Sequence, residues 1–242
     1  MSDIQFRDFT LDMTLLEPKI GSRQGAISRG HRKTEQEHRF ELCTAGRWLS
    51  ERGFTPATDG NLSVRLGPDR ILTTPSGVSK GSLSPEDLVI TDLNGRSLDG
   101  CLEPSSELGM HLLIYRRRPD ANAVCHAHPM VATGYAAAGL GLDKPLLAEM
   151  VVALGKIPLA PYAQPGTPWV AASLEPFVAA HEAILLANHG VVTFGEDLLS
   201  AFHRMEVVEH CARVTLVTEL LGKQNLLSGP DLEKLASARG KH

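Results

Sequence analysis

Three histidines are spaced in this sequence in a way that would allow them to bind a metal ion. His126 and His128 are separated by one residue and end a short apolar run that predicts a strand. Because residues i and i+2 of a strand face the same side, the two imidazoles could converge on one ion. The alternative is an incidental pair, since the chain contains ten histidines.

His189 follows a second apolar run and precedes Gly190. Taken alone, it is better explained as a buried, hydrogen-bonded histidine or a capping residue. Together with His126 and His128 it would complete a three-histidine site with open coordination positions, as in catalytic zinc sites. We therefore expect Zn²⁺ at these three residues, with Mn²⁺ or Co²⁺ as alternative divalent ions.

Polar segments near helix and strand ends could bind an anion. Ser105-Ser106-Glu107 begins a predicted helix, where backbone N–H groups and hydroxyls favour negative charge. Glu107 would carry a proton beside the metal, and partial burial is expected to raise its pKa. The loops 58–63 and 74–77 supply further N–H groups and short polar side chains. Alone, each segment is more often an ordinary cap or turn, and His111 is expected to be a core or supporting residue.

Helices and strands alternate in a pattern that would position these residues. Thr34 and Glu37 form a capping-box signature that opens the first helix. Alternating apolar residues then predict a hairpin with strands at 61–66 and 71–74. Later segments predict a helix at 107–118, strands at 123–128, 156–160, 183–188 and 191–194, and a long helix at 198–221. The mixture predicts a layered α/β/α domain with a mixed sheet.

Composition excludes several classes of partner. The chain has 242 residues and a net charge of −4, so it has no basic excess typical of nucleic-acid binding. No apolar run approaches the roughly 18–20 residues needed to span a membrane, and the N-terminus lacks the apolar core of a secretory signal. We expect a cytoplasmic protein with reduced cysteines, in which residues 1–33 form an arm or partly ordered tail and residues 34–242 form the catalytic domain.

Six segments occur in an order that resembles the class II aldolase/adducin family. They are GNLSVR (60–65), TTPSG (73–77), EPSSE (103–107), HAHP (126–129), APYAQPGT (160–167) and LLANHG (185–190). The similarity covers roughly residues 38–221. It implies an α/β/α fold around a mainly antiparallel sheet, and a homotetramer with active sites between neighbouring subunits.

The resemblance also implies a role for each matched residue. The metal positions of the family match His126, His128 and His189. Glu107 matches the proton carrier of its aldolases. The positions that bind the substrate phosphate match Asn61, Ser76, Gly77, Ser105 and Ser106.

The chain departs from the aldolase pattern at Glu149, where those enzymes have a catalytic tyrosine. A glutamate at this position resembles the acid/base of the family's dehydratase branch. We expect Glu149 to act from a neighbouring subunit, or else to be an exposed surface acid.

The resemblance therefore implies an aldolase that cleaves a small ketose 1-phosphate, similar to L-fuculose 1-phosphate, to dihydroxyacetone phosphate and an aldehyde. The metal would act as a Lewis acid that stabilises an enediolate. One alternative is a dehydratase, or a decarboxylase of a keto acid phosphate, on the same metal site. Another is a non-catalytic binding module like adducin.

Overall fold

The computed structural model describes residues 33–239, so the predicted N-terminal arm falls almost entirely outside the described part of the chain. The helices are α1 (Glu35–Glu51), α2 (Leu108–Arg117), α3 (Met130–Ala137), α4 (Ala148–Ala153), α5 (Pro168–Val178), α6 (Leu198–Leu220) and α7 (Gly229–Arg239). The strands are β1 (Asn61–Gly67), β2 (Arg70–Thr73), β3 (Val89–Thr91), β4 (Ser97–Asp99), β5 (Ala123–Ala127), β6 (Leu159–Ala160), β7 (Ala183–Leu186) and β8 (Gly190–Gly195).

All eight strands form one sheet in the order β4-β3-β2-β1-β5-β8-β7-β6. Every neighbouring pair is antiparallel except β6 and β7, which are parallel. Strand β5 lies in the middle, paired with β1 on one side and β8 on the other, and all five of its residues are buried.

Two apolar clusters cover the two faces of this sheet. One contains residues of α1, α3, α4 and α6, including Leu42 and Phe202, and the other contains residues of α2 and α5, including Ile114 and Leu174. Strand residues alternate between the clusters, as the period of two requires: Cys125 packs in the first and Val124 in the second. The three-layer α/β/α fold with a mainly antiparallel mixed sheet is thereby confirmed.

The first helix begins as the capping signature predicts. The Glu37 N–H donates to the Thr34 hydroxyl at 3.2 Å, and the Thr34 N–H donates back to the Glu37 carboxylate at 2.6 Å. Both exposed donors at the start of α1 are thereby satisfied within the capping box.

The prediction of a strand at 156–160 was too long. Only β6 forms there, and it lies at the edge of the sheet rather than in its interior. Pro158 lacks an N–H and so cannot continue a hydrogen-bonded ladder. Ile157 instead makes an isolated bridge to Leu142.

Helix α3 follows directly after the histidine segment, and a buried carboxylate from α6 holds its first turn. Glu209 accepts hydrogen bonds from the N–H groups of Val131 (3.1 Å) and Ala132 (2.9 Å). It also accepts one from Arg213 at 2.8 Å. These N–H groups have no partner within α3, so Glu209 replaces a conventional N-cap and fixes the chain just beyond His128.

We expect Glu209→Ala to lower the free energy of unfolding by about 2 kcal/mol or more, because buried N–H groups lose their acceptor. Glu206→Ala, on the same helix, is the control. Glu206 pairs with Arg52 near the surface, and such a pair contributes less than about 1 kcal/mol. Urea denaturation of both variants measures the difference, and equal losses would contradict the capping role.

Candidate metal centre

The three histidines predicted from the sequence meet at one end of the central strands. His126 lies on β5, His128 follows that strand, and His189 lies in the turn between β7 and β8. One ring nitrogen of each lies within 4.8 Å of those of the other two. Because β5 and β8 pair antiparallel, the end of one strand lies beside the start of the other, which brings these turns together.

Hydrogen bonds fix the orientation of two of the rings. His126 Nδ1 lies 2.9 Å from the carbonyl oxygen of Val191, which can only accept, so Nδ1 carries the proton. His128 Nδ1 likewise donates to the Asp59 carboxylate at 3.2 Å. In the neutral rings, each Nε2 therefore presents a lone pair.

The two lone pairs face each other, since His126 Nε2 and His128 Nε2 are 3.1 Å apart. Two such nitrogens repel unless a proton or a metal ion lies between them. Burial, together with the nearby His126 and His189 rings, lowers the pKa of His128 to about 4. The donor set therefore fits a divalent ion, for which neutral imidazole is a common ligand.

Glycines allow the close packing of this centre. A Cβ on Gly190 would lie 2.4 Å from Cδ2 of His128 and 2.7 Å from the carbonyl oxygen of Ala127. Gly60 has φ +72°, and a Cβ there would lie 2.8 Å from the carbonyl oxygen of His126. Larger residues at either position would displace the chain that carries the histidines.

Glu107, just before α2, directs its carboxylate toward the histidines. Its Oε2 lies 3.2 Å from His126 Nε2, and its Oε1 lies 3.0 Å from His189 Nε2. The His189 contact lacks hydrogen-bond geometry, which leaves Oε1 buried and without a hydrogen-bond partner. An unsatisfied buried oxygen beside converging ring nitrogens also fits a cation at this place.

The predicted rise in the pKa of Glu107 was wrong. Burial does raise it, but the electrostatic influence of the neighbouring His126 and His189 rings outweighs burial and holds the pKa well below its usual range. The sequence could not show this, because the effect depends on how close the two rings lie.

A chain of buried hydrogen bonds leads from the core to Glu107. Asn61 Nδ2 donates to Glu107 Oε2 at 2.9 Å, and Asn61 Oδ1 accepts from His111 Nε2 at 2.6 Å. His111 Nδ1 then accepts from the Ser63 hydroxyl at 2.7 Å, and Ser63 lies 2.8 Å from the Tyr115 hydroxyl. Burial lowers the pKa of His111 to about 3, so its ring stays neutral and this pattern is fixed. His111 is a supporting core residue, as expected.

A cavity of about 470 Å³ opens beside the histidines. Its wall contains all five residues predicted to bind phosphate, namely Asn61, Ser76, Gly77, Ser105 and Ser106. Two backbone hydrogen bonds join the loops that carry them: Ser76 N–H to the Glu103 carbonyl at 2.9 Å, and Ser105 N–H to the Thr74 carbonyl at 3.2 Å. The structure thus brings these residues together, while their role toward a substrate stays a prediction.

Glu149 does not join them. It is exposed on α4 and is absent from the cavity wall. Burial and the nearby Glu149 raise the pKa of Cys211 on α6 to about 12, which places Glu149 beside that helix. A role from a neighbouring subunit stays a prediction.

Little in the sequence indicates that two further polar residues belong to the site. Asp59 was recognised only as part of a polar loop, although it binds the His128 ring. Lys80 was not recognised, because a single lysine in no motif reads as a surface residue, yet it is buried in the cavity wall.

Residues 40–216 match the family model described as "Class II Aldolase and Adducin N-terminal domain". The chain belongs to the class II aldolase and adducin family. The enzymes of this superfamily are metal-dependent lyases, and this chain is one of them.

Relatives in the family catalyse different reactions at similar levels of identity. The chain is 40% identical to 3-oxo-tetronate 4-phosphate decarboxylase of Haemophilus influenzae, over 72% of this chain and 84% of that protein. It is 39% identical to L-fuculose phosphate aldolase of Methanococcus maripaludis (74% and 94%). It is 38% identical to methylthioribulose-1-phosphate dehydratase of Methylococcus capsulatus (73% and 92%). Overall identity therefore does not select the reaction.

A solved structure of L-fuculose 1-phosphate aldolase superposes with a TM-score of 0.79 at 33% identity. The superposition covers 86% of this chain and 99% of that one. Within residues 33–239, no helix is both long enough and apolar enough to span a membrane.

We expect Asp59→Ala to weaken Zn²⁺ binding by roughly 10–100-fold, because the His128 ring loses the acceptor that orients it. Competition against a chelating indicator measures the affinity without reference to activity. Asp143→Ala, which removes an exposed acid outside the cavity wall, is the control and should bind as the wild type does. Equal affinities for all three proteins would contradict the orienting role of Asp59.

Proposed function

We propose that this chain is a zinc-dependent aldolase that cleaves a small ketose 1-phosphate, similar to L-fuculose 1-phosphate, to dihydroxyacetone phosphate and an aldehyde. The observation that carries the proposal is the Glu107 carboxylate between the ring nitrogens of His126 and His189, beside a hydroxyl-lined cavity. His126, His128 and His189 would hold the ion. When bound, it supplies Lewis acidity for the oxygen atoms beside the bond that breaks.

The cavity wall would orient the substrate. Ser76, Gly77, Ser105 and Ser106 place hydroxyls and backbone around a space large enough for a small sugar phosphate. Fixing the phosphate there positions the reacting carbons relative to the carboxylate, which converts part of the binding energy into orientation.

Glu107 would move the proton at the carbon that becomes an enediolate on cleavage. A general base must lie within hydrogen-bond reach of that proton, so its carboxylate must not rotate freely. The amide of Asn61 holds Oε2, and the buried His111 fixes the orientation of that amide. We therefore assign Asn61 a positioning role toward Glu107 in addition to its predicted contact with phosphate.

We further propose a cytoplasmic homotetramer with active sites between subunits. Glu149 would act on the aldehyde-side oxygen of the neighbouring subunit's substrate, since it does not line the cavity of its own chain. Large apolar side chains are exposed at Met130, Tyr162 and Trp169, as is expected of surfaces that a second copy covers.

A decarboxylase or dehydratase on the same metal site is the second candidate. The relatives at 40% and 38% identity favour it, as does glutamate at position 149. The non-catalytic, adducin-like alternative is not favoured, because all three histidines are present and converge.

Condensation of dihydroxyacetone phosphate with L-lactaldehyde or acetaldehyde tests the aldolase. We expect a ketose 1-phosphate from the zinc-loaded enzyme and none after chelation, detected by mass spectrometry. A parallel panel of phosphorylated ketoses and keto acids, read for carbon dioxide and for dehydration products, tests the second candidate. Carbon dioxide or a dehydrated product without any condensation would decide against the aldolase.

Two substitutions separate metal binding from proton transfer. His128→Ala should abolish bound zinc and activity together, because a ligand is lost. Glu107→Gln should keep zinc near the wild-type content but slow proton exchange at the enediolate carbon of dihydroxyacetone phosphate by at least about 100-fold, the usual scale for a general base. Zinc analysis and exchange in deuterated water measure the two effects. Unchanged exchange would remove Glu107 from the mechanism.

A further inference from the structure

Lys80 is a buried cation in the wall of the cavity. Only 1% of its surface is exposed, although lysine is rarely buried without partners. Its Nζ donates to the carbonyl oxygen of Thr58 at 2.8 Å and to that of Val78. These carbonyls belong to the loop before β1 and the loop after β2, so the ammonium group joins the two loops that flank the cavity.

The backbone of Lys80 is held tightly against α1. The turn Lys80–Ser82 packs on this helix, where a Cβ on Gly46 would lie 2.7 Å from the carbonyl oxygen of Lys80. A Cβ on Gly81 would lie 2.6 Å from the Ser50 hydroxyl. The chain can approach so closely only because both positions are glycine, and the lysine is thereby directed inward rather than to solvent.

The negative charges in and around the cavity are balanced in part by this cation. Among the described residues of the cavity wall, Lys80 is the only lysine or arginine, whereas Asp59 and Glu107 contribute carboxylates. Burial lowers the pKa of Lys80 to about 8, with Asp59 and Glu107 opposing the change, so the group stays mainly protonated at pH 7. A phosphomonoester adds nearly two negative charges near neutral pH. The hydroxyls and backbone N–H groups of Ser76, Gly77, Ser105 and Ser106 carry no full positive charge to balance them.

We propose that Lys80 binds the phosphate of the substrate. Two of its N–H groups fix the loops of Thr58 and Val78, and the third donates to a phosphate oxygen beside Ser76 and Ser105. The inference rests on the proposed function only in requiring a phosphorylated substrate, and it applies equally to an aldolase, a decarboxylase or a dehydratase. Lys80 is thus a binding residue that selects phosphorylated over free sugars.

Methyl phosphate is a suitable probe, because it carries the phosphate but no keto group or hydroxyl to chelate a metal. We expect the zinc-loaded wild type to bind it, measured by calorimetry, and Lys80→Met to bind at least 10-fold more weakly with unchanged zinc content. Lys223→Met removes an exposed lysine outside the cavity wall, changes the net charge equally, and should bind as the wild type does. Wild-type affinity in Lys80→Met would overturn the proposal.

Lys80→Met also removes the bond between the two loops, so its fold is checked by circular dichroism and thermal denaturation. If it does not fold, a crystal structure of the wild type with methyl phosphate decides. A phosphate oxygen within hydrogen-bond distance of Lys80 Nζ supports the proposal, and a phosphate bound elsewhere overturns it.

The outcome is independent of the reaction. Binding that depends on Lys80, combined with no aldol condensation, would overturn the aldolase and leave this inference standing. Aldol condensation together with phosphate binding that does not depend on Lys80 would support the aldolase and overturn this inference.

Discussion

The hydrogen bond from His126 Nδ1 to the Val191 carbonyl joins the two central strands and decides what the site can hold. Because Nδ1 donates a hydrogen bond to that carbonyl, the neutral ring presents only its Nε2 lone pair to the interior. Asp59 imposes the same orientation on His128, and the two lone pairs meet at 3.1 Å. A cation between them would turn this repulsion into attraction, and the hydrogen bonds on the two Nδ1 atoms hold both rings in the orientation that binds it.

The sheet supplies the constraint that places these rings. β5 is buried and paired on both sides, so His126 cannot shift along its strand without breaking two ladders. The short connection between β7 and β8 fixes the position of His189. Within this turn, Asn188 takes a positive φ of 55°. On the opposite side, Glu209 fixes the chain that leaves His128. Backbone pairing and capping therefore set the positions of the chain segments that carry the three histidines.

The charged side chains of the site are also arranged by sign. Glu107 and Asp59 lie next to the histidines, and Lys80 lies in the cavity wall with its ammonium group on two loop carbonyls. A divalent cation would meet the carboxylates, and a phosphorylated substrate would meet the ammonium group, within one cavity. The arrangement suits any lyase reaction that needs a sink for electrons beside an anchored phosphate. Family members with three different reactions are similar to this chain at comparable levels of identity.

Local patterns were sufficient for a large part of this structure. The capping box at Thr34, the hairpin of β1 and β2, the alternation around His126 and the glycine after His189 depend on residues close in sequence, so the sequence alone determined them. Together with the order of the family segments, they predicted the layered fold and five polar residues of the cavity wall, namely Asn61, Ser76, Gly77, Ser105 and Ser106. Tertiary structure alone decided the contacts between distant residues. The inward direction of Lys80, the bond from Asp59 to His128, the lowered pKa of Glu107 and the separation of Glu149 from the cavity all depend on distances across the fold. Burial and electrostatic interactions act through space, and no spacing along the chain specifies them.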